Sequence, residues 1–527
     1  MTRLKITKSG INGEGIGFFK RKPVFVDDCF KDEVVDCKLY DEGNHYRGKL
    51  IKILEYSKER VKPKCPLQKI CGGCNLMAVN YDEQLRIKKE LLEGALDKYF
   101  THFDIPDVIP SEKIFRYRNK CNLPFFEHDG KLINALYRQG SNHPILLDEC
   151  IIHEERLEEI RKQILKVLNK NKLKAYDHKE KKGLRQLLIR GFKDEYQVVL
   201  ISGNDRFDQK LIDDLSAIKG VTSLYQGINT VKNPVHLLNG KLKRLYGPRK
   251  IIFRSGDYKL YLSPEAFFQL NEYQAEKIYS DVNELIDKKV DTIVEAYSGI
   301  GAISLYLHDK GNEIIGIELE EKAVKDANEN AKLNDIHNVS FLAEDASKAL
   351  RRIVKSKKID ILVVDPPRSG LDDEILTTIM KTKINKIIYV SCNPATLARN
   401  LDVLSDKYKV EEIKAYDMFP NTPHVETVVL LSKGNISSKK VHVDFSLEDM
   451  DMSGIKTGAT YDEIKAYVKK NYDLTVSSLN IAQIKEKFGI KERENFNHSK
   501  KKNPKQPKCT EEKEEAILDA LKYYNMV

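Results

Sequence analysis

The sequence predicts a multidomain α/β protein: an N-terminal OB-like β-barrel, a central α+β domain, a Rossmann-like parallel-sheet domain and a small helical C-terminal extension. Three observations carry this reading. A chain of 527 residues is too long for a single hydrophobic core. Between residues 290 and 392, short β-branched runs alternate with helical periods, and each run empties into a turn rich in glycine, proline or carboxylates, as strands of open parallel sheets do. Residues 1–56 instead show short alternating runs between glycines, and residues beyond 460 show charged helical periods. The divisions fall at 1–58, 59–255, 256–433, a linker at 434–459, and 460–527.

The composition is that of a soluble globular protein, with 41% hydrophobic and 32% charged residues. The N-terminus has no apolar segment of signal-peptide length, and no run approaches a membrane span, so a cytoplasmic protein without a membrane partner is expected. The net charge of +10, from 89 Lys and Arg against 79 Asp and Glu, favours a polyanionic partner without requiring one. In a reducing compartment, nine cysteines point to metal binding or catalysis rather than disulfides.

In the first domain, Val24–Val26, Val34–Cys37 and 48–54 read as strands, with Lys20, Arg21, Lys22, Tyr46 and Arg47 on the surface. Such barrels bind single-stranded RNA by stacking and charge; an ordinary solvated surface is the plain alternative. Cys65, Cys71 and Cys74 then lie within ten residues around Gly72 and Gly73, a metal-site pattern suited to zinc or an iron–sulfur cluster. Cys150 is a candidate fourth ligand and Cys121 its rival. A helix is expected over 80–100. The stretch Phe115-Arg116-Tyr117-Arg118-Asn119-Lys120 interleaves aromatics with cations, as RNA-stacking edges do and as ordinary packed strands also do. A helical pair is expected over 151–178, followed by strands at 187–189, 197–201 and 222–225.

The Rossmann-like domain begins with a helix expected over 263–285, with Ser263 as N-cap and Pro264 at its first position. The run 292–296 leads into Tyr297, Ser298, Gly299 and Gly301, whose glycines allow close approach of a cofactor. Glu318 ends the next strand, where a carboxylate can pair with ribose hydroxyls. Without the third glycine of a dinucleotide fingerprint, adenosylmethionine is favoured over NAD. Asp345 follows strand 339–342, positioned for an adenine edge, and Asp365-Pro366-Pro367-Arg368 follows strand 359–364. Amino-methylating enzymes carry an aromatic residue after the prolines, and RNA cytosine-5 methyltransferases a cysteine in this region. Here Arg368 stands there, and the cysteine comes one strand later in Ser391-Cys392-Asn393-Pro394.

Together these motifs, with Phe267-Phe268-Gln269-Leu270-Asn271 and His424-Val425-Glu426, resemble the RNA uracil-5-methyltransferase family over roughly residues 5–432. The resemblance implies a TRAM-type RNA-binding barrel and a [4Fe–4S] cluster on Cys65, Cys71, Cys74 and Cys150. It implies S-adenosyl-L-methionine held by Gln269, Tyr297, Glu318, Asp345 and Asp365, with no side-chain contact from Ala302. The chemistry agrees: carbon-5 of uracil needs a thiolate added at carbon-6, here from Cys392, before it can take a methyl group, and Glu426 then removes the carbon-5 proton. His424 orients this turn or is structural. The target uridine is expected to be flipped out, in 23S ribosomal RNA first and transfer RNA as the alternative, by a monomeric enzyme. An RNA-binding or chaperone protein with a vestigial catalytic domain is the rival from another class; intact Cys392, Glu426, Glu318 and Asp365 weigh against it.

Helices are expected over 460–471, 476–488 and from Thr510, with a lysine-rich flexible loop at 500–508. This extension reads equally as a nucleic-acid-binding module or as a packing appendage.

Overall fold

The strand-forming runs assemble into three large sheets and a hairpin. In the computed structural model the described residues are 1–100, 104–231, 242–434, 461–487 and 510–523. The chain forms two compact units, 1–442 and 443–527. Apart from Gly434, the linker assigned to 434–459 lies outside the described residues, as does the lysine-rich stretch 500–508. Among the described residues no helix is long and apolar enough to cross a membrane.

The N-terminal sheet contains β1 (Thr2–Lys5), β2 (Lys8–Ser9), β3 (Gly15–Phe19), β4 (Lys22–Val26), β5 (Val34–Asp41) and β6 (Tyr46–Glu55). Its order is β1-β5-β6-β4-β3-β2, so β1 and β2 are edges and the expected barrel is not closed. Between those two strands Ile6 extends the pairing of β1 with β5, its N–H donating to Glu33 O and its carbonyl accepting from Asp32 N–H, and Thr7 N–H then turns to Ile16 O of β3.

Next come α1 (Gln68–Cys71) and α2 (Tyr81–Leu96). Asn80 caps α2, its side-chain oxygen accepting from the Glu83 N–H at 2.9 Å. The second sheet is built from β7 (Lys120–His128), β8 (Lys131–Tyr137), β9 (Pro144–Leu146), β10 (Leu184–Phe192), β11 (Glu195–Ser202), β12 (Val221–Ile228) and β13 (Leu242–Tyr246). Its order is β13-β12-β11-β10-β7-β8-β9. Helices α3 (Glu155–Lys170) and α4 (Gln209–Ser216) bury Leu157, Ile160, Ile164, Leu211 and Leu215 in the core shared with this sheet. Only one helix therefore occupies 151–178. Beyond it the backbone pairs with neighbouring turns, Tyr176 N–H to Leu184 O and Asp177 N–H to Lys182 O.

A hairpin, β14 (Ile251–Ser255) and β15 (Tyr258–Leu262), precedes α5 (Glu272–Glu284). The helix expected from Ser263 is corrected to begin at Glu272, with Asn271 as its N-cap. Several of the intervening carbonyls accept from side chains of other segments, although Ser263 O also accepts from Ala266 N–H in a single turn. Arg190 donates to Ser263 O and Ala266 O, and Asn119 to Gln269 O.

The third sheet holds β16 (Val290–Ala296), β17 (Gly311–Glu318), β18 (Val339–Ala343), β19 (Ile361–Val364), β20 (Lys386–Ser391), β21 (Tyr408–Tyr416) and β22 (Glu426–Lys433). Its order is β18-β17-β16-β19-β20-β22-β21; the first five strands are parallel and β22 is antiparallel to both neighbours. Alternate residues face opposite cores, Ile293, Ile314, Val363 and Ile388 on one side and Val294, Ile315, Leu362 and Ile387 on the other. Helices α6 (Ala302–Tyr306) and α7 (Glu321–Leu333) join α5 on the first face. Helices α8 (Ala346–Ser356), α9 (Asp373–Lys381) and α10 (Pro394–Leu404) cover the second. Leu92 and Leu96 of α2 enter this second core, so a helix placed by sequence in the central domain also covers the third sheet.

In the second unit, α11 (Tyr461–Tyr472), α12 (Ser478–Lys487) and α13 (Glu511–Tyr523) bury Ile464, Val468, Ile481, Ile484, Ile517 and Leu521 together.

Candidate active site

Six of the residues singled out from sequence line one edge of the third sheet. Across the strand order, Asp345 follows β18, Glu318 ends β17, Tyr297 follows β16, Asp365 follows β19, Cys392 follows β20, and Glu426 begins β22. Because β22 runs antiparallel, its first residue meets the carboxyl ends of the parallel strands. The strand order reverses between β16 and β19, where open sheets of this kind hold ligands.

The β17–β16 side forms a cradle. Tyr297, with φ 67°, and Gly299 and Gly301, with φ 53° and 82°, take left-handed backbone conformations. A side chain at Gly301 would collide with the Phe341 ring, whereas the space in front of Gly299 is open. Strain at a non-glycine such as Tyr297 is characteristic of ligand-binding turns. The Glu318 carboxylate accepts from Gly299 N–H at 3.0 Å and from Glu320 N–H at 2.8 Å. Each oxygen keeps a lone pair for a further donor. Asp345 caps α8, accepting from Lys348 N–H at 3.1 Å, a structural role that its sequence position did not reveal. Gln269 lies on the extended segment before α5, its carbonyl held by Asn119 Nδ2 at 3.1 Å.

On the other side, the ladder pairs Ser391 with Thr427, which sets Cys392 beside Glu426. Burial, then the charges of Glu426 and Asp365, push the Cys392 thiol up to about 11, while the Arg368 guanidinium opposes them. Glu426 is 4% exposed. Burial and then Asp365 raise its carboxyl well above the ordinary range, again against Arg368. Burial alone raises Asp365 to about 7. Behind them Glu295 is pushed up to about 8 by burial, although Ser304 Oγ donates to it. This end of the sheet thus holds three carboxyl groups with elevated pKa values beside a thiol, an arrangement suited to holding and moving protons.

Arg368 reaches across the site. Its backbone carbonyl is held by Asn393 Nδ2 at 3.0 Å and by Thr396 Oγ1 at 3.2 Å, and its Nη2 donates to His424 Nε2 at 3.3 Å. Arginine cannot accept, so Nε2 of His424 carries the lone pair. Burial, Arg368 and Lys88 push His424 down to about 4, so the imidazole is neutral near pH 7.

The loop before Glu426 is anchored from several directions. Lys88 and Asp417, both fully buried, form an ion pair; Lys88 also donates to Phe419 O, and Tyr81 Oη to Asp417. Asn421 N–H donates to Gln84 at 2.8 Å, and Asn421 O accepts from Leu76 N–H at 3.0 Å. Tyr117 Oη donates to Pro420 O at 3.2 Å. Tyr117 is 3% exposed and therefore is not available to stack RNA, correcting that reading of the Phe115–Lys120 stretch.

Cys65, Cys71, Cys74 and Cys150 line one pocket with Met77, Leu147 and Ile152. The rival Cys121 is fully buried in the core of the second sheet. Burial raises the Cys65, Cys71 and Cys74 thiols. At Cys150 burial is outweighed by a hydrogen bond from His153 and that residue's charge, which bring the thiol below its usual value. Among the described residues no three His, Cys, Asp or Glu side chains converge tightly enough to hold a single ion.

On the N-terminal sheet, lysines stand near aromatic faces: Lys8 and Phe18 at 5.9 Å, Lys20 and Phe19 at 5.5 Å, Lys22 and Tyr46 at 5.5 Å. Arg47 is instead bound to Asp27 at 2.9 Å.

The model of the tRNA (uracil-5-)-methyltransferase family matches residues 241–434. An uncharacterized RNA methyltransferase of Clostridium tetani is 36% identical over 440 residues, covering 81% of this chain and 95% of the relative. One of Bacillus anthracis is 35% identical over 439 residues, with the same coverage. Among solved structures, the tRNA (uracil-54, C5)-methyltransferase of Pyrococcus abyssi, in complex with S-adenosyl-L-homocysteine, is similar with a TM-score of 0.68 at 27% identity. That likeness covers 82% of this chain and all of that one.

Proposed function

Because the chain belongs to the RNA uracil-5-methyltransferase family, whose members are adenosylmethionine-dependent RNA methyltransferases, we propose that it methylates carbon-5 of a uridine in 23S ribosomal RNA, using Cys392 and Glu426. The observation that carries this reading is the pairing of Ser391 with Thr427, which brings a thiol and a buried carboxyl side by side at the ligand-binding edge of the sheet. Cys392 adds as thiolate to carbon-6, which makes carbon-5 nucleophilic. Adenosylmethionine supplies the electrophilic methyl group. Glu426 then takes the proton from carbon-5, and the Cys392 sulfur leaves as carbon-6 is released. The elevated pKa of Glu426 makes it a capable base near neutral pH once ionised.

In this reading Gln269, Tyr297, Glu318, Asp345 and Asp365 hold the cofactor. The open space at Gly299 and the spare lone pairs of Glu318 suit an adenosyl group. Cys65, Cys71, Cys74 and Cys150 hold a [4Fe–4S] cluster. A cubane takes one cysteine at each of four corners, and the four thiols line one pocket. The N-terminal sheet, with its lysine–aromatic pairs, is the expected RNA platform. Transfer RNA is the second reading, favoured by the substrate of the Pyrococcus abyssi neighbour.

Cys392→Ala is expected to bind RNA and to give no 5-methyluridine. Glu426→Gln is expected to accumulate a covalent protein–RNA adduct, visible as a denaturation-resistant band. Full methylation by Cys392→Ala would overturn the mechanism, and normal turnover by Glu426→Gln would remove Glu426 from the base role.

A further inference from the structure

One cation of this chain is recessed without a counter-charge, and neither the fold nor the proposed chemistry accounts for it. Lys120 opens β7 and lies directly across the ladder from Arg190 of β10, so the two side chains share a face of the second sheet. Arg118, two residues earlier, folds back to donate from Nε to Lys120 O at 3.0 Å. Three cations are thus gathered in one place.

Their surroundings differ. Arg190 is 1% exposed and fully employed, donating to Ser263 O and Ala266 O, with Asp326 and Glu265 as its nearest negative charges. Lys120 makes no ion pair or side-chain hydrogen bond among the described residues. Burial, then the charges of Arg190 and Arg118, drive its ammonium down to about 7, and no carboxylate counters them. A lysine held this way costs stability, and an external anion would compensate its charge. The site borders the segment that carries Gln269, because Asn119 donates from its backbone to Leu270 O and from its side chain to Gln269 O, each at 3.1 Å. An anion held there would lie beside the proposed cofactor and uridine pocket.

We propose that Lys120, backed by Arg118 and Arg190, is a phosphate-binding site that grips the RNA backbone next to the uridine being methylated. The inference rests on the RNA methylation reading above and adds a contact to it. The cationic trio reads no base. It sets the register of the strand, as phosphate contacts do, and leaves sequence choice to other groups. A bound phosphate favours the charged form of Lys120, so binding takes up a proton from about pH 7 upward, where the free amine is partly neutral, and not in acid, where it is already charged.

The test uses the full chain with Lys120→Met and Lys120→Arg, and a fluorescein-labelled oligouridylate as probe. Lys120→Met is expected to weaken binding at low salt and to flatten the slope of log affinity against log salt by about 0.7, the contribution of one phosphate on a single strand. Lys120→Arg is expected to restore the slope. Without RNA, Lys120→Met is expected to melt no lower than the parent protein, since it removes an uncompensated charge, which separates lost contact from lost folding. An unchanged slope would overturn the inference, and so would a loss of S-adenosylhomocysteine affinity in Lys120→Met with RNA binding intact, which would make the cofactor carboxylate the anion. The unsubstituted chain is assayed in parallel for 5-methyluridine; failure there sinks the functional reading, whereas the slope alone judges Lys120.

Discussion

The Cys392 thiol should be dormant in the free enzyme, and this can be measured directly. With the Cys392 thiol raised to about 11, the thiolate is about one part in a thousand at pH 8 and about one in a hundred at pH 9. Iodoacetamide reacts with the thiolate, so alkylation of Cys392 should rise about tenfold per pH unit from pH 7 to 10, with no plateau below about pH 10. The causes give the result its direction. Burial, Glu426 and Asp365 all disfavour the anion, and the Arg368 guanidinium opposes them. Arg368→Met should therefore slow alkylation further at every pH in this range. The assay is mass spectrometry of the peptide carrying Cys392, with Cys392→Ala as blank so that the pocket cysteines do not contribute. A half-maximal rate below pH 9, or faster alkylation in Arg368→Met, would refute the electrostatic reasoning. If the rate behaves as expected, activation of the thiol accompanies RNA binding rather than preceding it.

Lys88→Met should destabilise the first unit by about 3–5 kcal/mol, because it leaves the fully buried Asp417 with only the Tyr81 hydroxyl for company. The check is the denaturation midpoint, and the double variant with Asp417→Leu should recover much of the loss. Protein prepared without oxygen should contain about four irons per chain, lost in Cys150→Ala; zinc without iron would replace the cluster assignment with a single-ion site.

The strand ends of the catalytic sheet were legible because chemistry and chain geometry coincide there. A β-branched run must stop at Asp365-Pro366-Pro367 and at Asn393-Pro394, and open sheets of this kind hold ligands at such strand ends. Sequence order could not reveal that β22 inserts between β20 and β21, which is what puts Glu426 next to Cys392. That neighbourhood is set by pairing between residues 36 apart, Ser391 and Thr427. Ser263-Pro264 carries every local sign of a helix start, yet Arg190 and Asn119 claim the following carbonyls and delay the helix to Asn271. Tertiary hydrogen bonds outweighed local preference there. The aromatic–cation run 115–120 fitted both RNA stacking and ordinary packing, and at Tyr117 the packing alternative holds. Tyr117 points inward to Pro420, while Lys120, at the start of β7, has no side-chain partner among the described residues.

The hydrogen bonds from Leu76 and Tyr117 to Asn421 and Pro420 have a consequence for anyone who would recombine this enzyme with a relative. They tie Leu76, just past Cys74, and Tyr117 to the peptide five and six residues before Glu426, across more than three hundred positions of sequence. Exchanging the first hundred and twenty residues for those of another protein would keep the catalytic sheet whole and still alter the footing of Glu426. A functional chimera must carry 417–425 along with the cysteine loop, so these two distant segments form one unit of inheritance.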